Sequence, residues 1–406
     1  MPNESKSSEL SDPIPQNGIP LHKKKIEWKE YKLGEVIRTN RLSIGKEYGC
    51  RQILYLDTGS ITCNKVDGYQ YFDLEDAPSR AKRLVEDEDI IYSSVRPNQL
   101  HYGFIKDPPN NLVVSTGFVT ITCDKSRIAP KFLYYYLTQP HITEFLHTVA
   151  EASTSAYPSL KPSDIESLEI ELPPLSEQKR IASILGSLDD KIDLLHRQNA
   201  TLEAMAETLF RHHFIENPNP NWKEVSLTQV ATFTNGLACQ KYPPKNEVEK
   251  LPVLKIRELS NGIGNDSDWA TTDVGSEYVV HAGDVIFAWS ASLMVKIWDG
   301  EDCILNQHLF KVTSEKYPKW FYYFWCKHHL NEFISIAQSH ATTMGHIKRK
   351  DLDSARVLVP SDDELLGYSD EISFLIQKME VNNRAILQLT NLRSILLQTF
   401  FNKERE

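Results

Sequence analysis

The chain has 406 residues, more than one ordinary core holds, so two or more domains are expected. With 41% hydrophobic, 10% aromatic and 25% charged residues, the composition is that of a folded globular protein and excludes disorder throughout. A formal net charge of -10 admits a nucleic-acid partner only through local basic faces, because phosphate contacts depend on where the cations sit.

Residues 1–26 are rich in Ser, Pro, Asn and Lys without an apolar period and read as a disordered N-terminal tail. They lack the apolar core of a secretion signal, and no later run is long enough to span a membrane, so a cytoplasmic location is expected. The six cysteines are scattered without a Cys-x-x-Cys pair, which predicts neither a disulfide framework nor a metal site.

The rest of the chain repeats itself. Trp28-Lys29-Glu30 recurs as Trp222-Lys223-Glu224, and Asp89-Ile90-Ile91-Tyr92 as Asp284-Val285-Ile286-Phe287. Pro130-Lys131-Phe132 recurs as Pro318-Lys319-Trp320, and Lys161-Pro162-Ser163-Asp164-Ile165 as Lys348-Arg349-Lys350-Asp351-Leu352. Four matches in one order predict two copies of one fold.

In the first copy, residues 52–56, 89–93 and 112–114 are short β-branched or aromatic runs bounded by turn residues, as strands are. A helix is predicted over 130–146. After Pro173-Pro174, Ser176 is the expected N-cap of a long helix with Glu177 in its first turn. There Ile181, Leu185, Leu188, Ile192, Leu195, Asn199, Leu202, Ala206 and Leu209 alternate in steps of four and three, a heptad seam. In the second copy, 253–256, 284–287 and 309–312 predict strands and 318–337 a helix. Ser361 and Glu364 fit a capping box, and Tyr368, Ile372, Leu375, Met379, Asn382, Ile386, Leu389, Arg393, Leu396 and Phe400 repeat the seam. Helices this long cannot hide an apolar stripe in a small domain, so the two are expected to pack antiparallel, and pairing Glu177 with Glu404 sets Asn199 opposite Asn382. The fold class is α+β: two pseudo-repeated globular domains, 27–172 and 215–360, separated by spacer helices over 173–214 and 361–406.

No catalytic motif is convincing. Asp107-Pro108-Pro109-Asn110 resembles the Asp/Asn-Pro-Pro-aromatic loop of amino-methyltransferases, but Asn stands where an aromatic should stack, and a turn is the better reading. There is no ATP-binding loop, no His-Glu-x-x-His pair and no Gly-x-Ser-x-Gly elbow. The adjacent His212-His213 and His328-His329 point about 100° apart on a helix, which predicts helix surface and no metal. What remains is loop chemistry suited to DNA. Arg96, Asn98 and Gln99 follow a strand and carry groups that pair bidentately with base edges. Ser155, Tyr157 and Lys161 lie in a hydroxyl-rich loop, and Gln338, Thr342, Thr343, His346, Lys348 and Arg349 occupy the equivalent place in the second copy with a stronger basic run.

These features resemble the specificity subunits of type I restriction-modification enzymes over nearly the whole chain. Leu172-Pro173-Pro174-Leu175-Ser176-Glu177-Gln178-Lys179-Arg180-Ile181-Ala182 and Asn306-Gln307-His308-Leu309-Phe310-Lys311-Val312 are typical runs. The resemblance implies two target recognition domains on double-stranded DNA, a coiled-coil spacer and no catalysis or bound cofactor in this chain. It implies two methyltransferase subunits using S-adenosylmethionine, and motor-nuclease subunits using ATP and Mg. The second helix opens with Ser361-Asp362-Asp363-Glu364 where the first has Glu-Gln-Lys-Arg, a departure from equivalence at partner contacts.

Overall fold

Short runs of β-branched and aromatic residues between turn formers supply the strands of the first half. The computed structural model describes residues 27–152, 159–264, 266–339 and 345–401, so the tail assigned to 1–26 lies outside it. In chain order the first half holds β1 (Lys29–Lys32), β2 (Ile37–Thr39), β3 (Gln52–Leu56), β4 (Ile61–Thr62), β5 (Lys65–Val66), β6 (Gln70–Asp73), β7 (Ala81–Leu84), β8 (Ile90–Ser93), β9 (Tyr102–Phe104), β10 (Leu112–Ser115) and β11 (Phe118–Cys123). Helices α1 (Pro130–Leu137), α2 (Pro140–Glu151) and α3 (Pro162–Glu166) follow, then β12 (Glu169–Leu172) and α4 (Leu175–Arg211). The second half begins with β13 (Lys223–Ser226), α5 (Leu227–Val230), β14 (Thr232–Asn235), β15 (Lys250–Leu254), α6 (Ile256–Asn261), β16 (Trp269–Thr271), β17 (Val279–Val280) and β18 (Val285–Ala288). It ends with β19 (Met294–Ile297), β20 (Cys303–Leu305), β21 (Leu309–Thr313), α7 (Lys319–His328), α8 (Leu330–Ser339), α9 (Arg349–Ser354), β22 (Arg356–Val359) and α10 (Asp362–Phe401).

The main sheets are duplicated, while among the described residues the two-stranded sheet of β4 and β5 belongs to the first half alone. Sheets ordered β2-β11-β8-β9 and β6-β3-β10-β7 in the first half recur as β14-β21-β18-β19 and β16-β15-β20-β17. The sheets β6-β3-β10-β7 and β16-β15-β20-β17 each hold one parallel pair, β3 with β10 and β15 with β20. A ribbon, β1 with β12 and β13 with β22, ties each Trp-Lys opening to the strand that leads into a long helix.

Three local expectations are corrected. The run 130–146 is two helices, because Pro140 has no N–H for the Tyr136 carbonyl and starts a new helix instead. Its counterpart breaks at His329, a buried residue whose ring is held by the Arg356 carbonyl at 2.9 Å and Glu332 at 3.0 Å. His329 is therefore not helix surface. Ser176 lies inside the first turn of α4 and is not its cap: the Pro174 carbonyl already accepts the N–H groups of Glu177 and Gln178.

The structure divides into two compact units, Met1–Ser183 and Ile184–Glu406, with the boundary inside α4. In the first, Gln178 is buried in full use: its carbonyl oxygen accepts the Ala129 N–H at 2.9 Å, and its amide donates to the carbonyls of Pro173 and Arg127. In the second, α4 and α10 run antiparallel. Asp189 pairs with Arg393 at 2.6 Å, and ten residues on, Asn199 accepts a hydrogen bond of 2.9 Å from Asn382 and donates to Asn383. Every residue of both seams is buried or half-buried. Beside the helices the core of this unit carries a group of aromatic rings, with Phe210 and Phe214 packed on Phe324, Trp320 and Trp325. Lys327 bridges Glu203 and Glu207 of α4 at 2.8 and 2.7 Å, and Lys319 reaches Glu380 of α10 at 2.6 Å. Burial opposes ionisation of Glu203, but hydrogen bonds from Lys327 and Tyr323 outweigh it and hold the carboxyl below its ordinary value.

The capping box of α10 doubles as a clamp. Glu364 accepts from Ser361 through both hydroxyl and backbone, and from Asn219 and the Trp222 indole at 3.0 Å each. These bonds, Ser361's hydroxyl foremost, hold its carboxyl at about 2. A depressed acid contributes stability that is complete above its unfolded value near 4.5 and is lost as the pH falls toward 2. Glu364→Gln should therefore lower the thermal midpoint at pH 6, with the difference from the parent shrinking as the pH falls from 4.5 toward 2. A difference independent of pH would contradict the clamp.

Candidate nucleic-acid interface

The segments that follow β8 in the first half and β18 in the second carry, with the loops bridged to them, the exposed polar side chains on which a nucleic-acid interface would rest. In the first half, β8 runs into a loop where Val95 forms a β-bridge with Ser159, and the Leu160 N–H donates to the Ser94 carbonyl at 2.8 Å. Two stretches some sixty residues apart are thereby joined. Arg96, Asn98 and Gln99 are exposed on this loop, and Lys161 is exposed beside it at the head of α3. The Lys161 backbone N–H donates to the Asp164 carboxylate at 2.7 Å, fixing the turn. Ser155 and Tyr157 lie outside the described residues.

The second half repeats the arrangement with other side chains. Ser290 bridges His346, the Ile347 N–H donates to the Trp289 carbonyl at 3.1 Å, and the Lys348 N–H donates to Asp351 at 2.7 Å. His346, Lys348 and Arg349 are exposed there, as is Gln338 at the end of α8. Gly345 packs so closely on Ala337 that a Cβ would lie 2.9 Å from its carbonyl oxygen, which seats this loop against α8. Thr342 and Thr343 lie outside the described residues.

The shared backbone is strained in the same place. Arg96 adopts the left-handed conformation, φ 48° and ψ 67°, and Ala291, its counterpart two residues after Trp289, has φ 55°. Residues without a glycine's freedom hold this conformation when their surroundings impose it, and such strain gathers at functional sites.

No spacing singles out several further residues at this end. The Trp289 indole donates to the side-chain amide oxygen of Asn235 at 3.2 Å, and the His308 ring lies between the Ser290 hydroxyl at 3.1 Å and the Gln307 side-chain amide at 3.2 Å. Only the typical run Asn306-Gln307-His308 hinted at them. Among the described residues no cluster of His, Cys, Asp or Glu is arranged to hold a metal ion.

A duplicated α+β module with polar, cation-edged loops at one end of each copy defines a class of DNA-recognition proteins. The description "Type I restriction modification DNA specificity domain" matches residues 25–204 and again 219–389, and the chain belongs to this family with two copies of its domain. It is 31% identical over 193 residues to the HindI type I restriction enzyme specificity subunit of Haemophilus influenzae, a match covering 47% of this chain and 41% of that one. It is 23% identical over 373 residues to the MjaIX specificity subunit of Methanocaldococcus jannaschii, covering 83% of this chain and 84% of that one. The crystal structure of a type I restriction-modification system S subunit from M. genitalium shares the fold, with a TM-score of 0.54 at 13% identity over 94% of this chain and 98% of that one.

The strained turn makes a stability prediction. Arg96→Gly should leave the unfolding free energy unchanged or raise it by up to about 1 kcal/mol, while the β-branched Arg96→Val lowers it by about 1–2 kcal/mol. Denaturant unfolding that ranks glycine below valine would contradict the left-handed turn.

Proposed function

We propose that this chain is the specificity subunit of a type I restriction-modification system, in which each domain reads one half of a split DNA site. The observation that carries this reading is the repeated loop pairing, Val95 with Ser159 and Ser290 with His346: one backbone offers Arg, Asn and Gln in the first half and Trp, His and Gln in the second. One scaffold with different side chains suits two different half-sites. Exposed Lys161, Lys348 and Arg349 at the helix heads suit phosphates, which set register, while neighbouring polar groups read bases. The chain itself supplies recognition and no chemistry. Two methyltransferase subunits carry S-adenosylmethionine and modify adenine, and motor-nuclease subunits carry ATP and Mg and cut unmodified DNA. Cytoplasmic action fits this role, and no helix among the described residues is long and apolar enough to cross a membrane.

Sequencing methylated adenines in a host that expresses this chain with its methyltransferase partner tests the reading. A motif of two defined halves with a fixed gap is expected; a single contiguous motif, or no new methylation, would overturn it. Replacing Lys348 and Arg349 together by alanine should weaken the assembled complex on specific and random DNA alike. The slope of log affinity against log salt should become shallower by roughly two. Unchanged binding across a salt series would move the phosphate contact elsewhere.

A further inference from the structure

The second half carries a cleft walled by paired rings at its reading end. Between the face of β14, β21 and β18 and helix α9 lies a cleft of about 270 Å³, walled by Phe233, Trp289, Phe310, Ile347 and Leu352, with Asn235 and Arg349 lining it as well. The Trp289 ring lies over Phe310 at 5.7 Å and 28°, and its bond to Asn235 locks the indole in place. In the first half the counterpart of Trp289 is Ser94, identified by the same two backbone bonds: Ser94 N–H to the Gly117 carbonyl and Leu160 N–H to the Ser94 carbonyl. The counterpart of Phe310 is Val119, which faces Tyr92 across the sheet as Phe310 faces Phe287. Neither counterpart is aromatic, so among the described residues the first half does not repeat this ring pair.

We propose that this cleft seats the C5-methyl group of one thymine in the half-site read by the second domain, so that Trp289 and Phe310 are specificity-determining residues. The inference rests on the proposed DNA-reading role and adds to it the chemical group that is read. Exposed Lys348, Arg349 and Lys350 beside the cleft match a polyanion, which favours DNA over an apolar protein segment as the occupant. On the floor of the major groove, thymine's methyl is the one apolar group that a base pair presents, so an apolar cleft flanked by amide and guanidinium groups selects it. Seating a whole base would require breaking its pairing and stacking, which stacking on two rings returns only in part. A methyl enters without that loss.

The test uses the assembled complex and duplexes in which each thymine of the mapped site is replaced in turn by deoxyuridine, which removes the methyl and nothing else. One position, in one half-site, should bind about fourfold more weakly. Trp289→Ala should bind thymine and deoxyuridine duplexes equally at that position while still rejecting base-pair substitutions in the other half-site, which also shows that the variant is folded. A complex that recognises its split site yet is indifferent to every deoxyuridine would overturn the inference, and so would full methyl sensitivity in Trp289→Ala. Methyl indifference combined with lost assembly of Trp289→Ala would assign the cleft to a partner protein. Because the wild-type series needs no variant, it stands even if Trp289→Ala misfolds, and methylation mapping reports separately whether a split site exists.

Discussion

An apolar stripe that runs the length of a 37-residue helix has to be covered by something equally long, and a small domain cannot do it. In the unit Ile184–Glu406 the cover for α4 is α10. Leucine and isoleucine alone would permit several registers, so the polar lapses decide. A slip of one heptad would set Asn199 against Leu389 or Leu375, and Asn382 against Ala206 or Ile192. The buried Asn382 amide would then lose its partner at about 1–3 kcal/mol, a large share of a net stability of about 5–15 kcal/mol, and half-buried Asn199 would lose its own. The pairing of Asn199 with Asn382 thus fixes one register, and Lys327 and Lys319 bind both helices to the second domain's aromatic core in that register.

On this frame the two domains separate what is constant from what varies. Strand order, the parallel pair, the closing ribbon and the Lys-to-Asp turn at α3 and α9 are the same in both. The left-handed turn at Arg96 and Ala291 is held in both as well, at a local conformational cost of about 1–2 kcal/mol that the surrounding hydrogen bonds must offset. The residues beyond the turn differ: Pro97, Asn98 and Gln99 follow Arg96, whereas Ser292 and Leu293 follow Ala291. A rigid scaffold with variable loops is how one fold serves two targets.

Much of this was legible in the sequence, for definite reasons. The repeat revealed the duplicated topology because each matching run is a strand or helix start fixed by apolar pattern. The helix register was legible because each seam has an amide at the corresponding place. Residues 52–56 read as a strand and form one with those bounds, whereas 253–256 ends early because Ile256 already begins α6. The break before Pro140 was in plain view but yielded to the apolar periodicity on either side. Trp289 was not legible, since its importance comes from Phe310 and His308, some twenty residues away, which only the pairing of β18 with β21 brings alongside. The loops after β8 and β18 also carry no period to read. Their meaning comes from tertiary neighbours.

On the proposed function, the pairing of α4 with α10 would set the gap between the two half-sites. Inserting one heptad at matching places in α4 and α10 keeps both seams in phase and lengthens the pair by roughly 10 Å. At roughly 3.4 Å per base pair, methylated-site sequencing of the insertion complex should show a gap about three base pairs longer, between unchanged half-sites. The accompanying rotation of roughly 100° between half-sites can displace the preferred gap to a neighbouring value or reduce activity, but it cannot restore the original gap. A fully active insertion variant that methylates sites with the parental spacing would contradict the account.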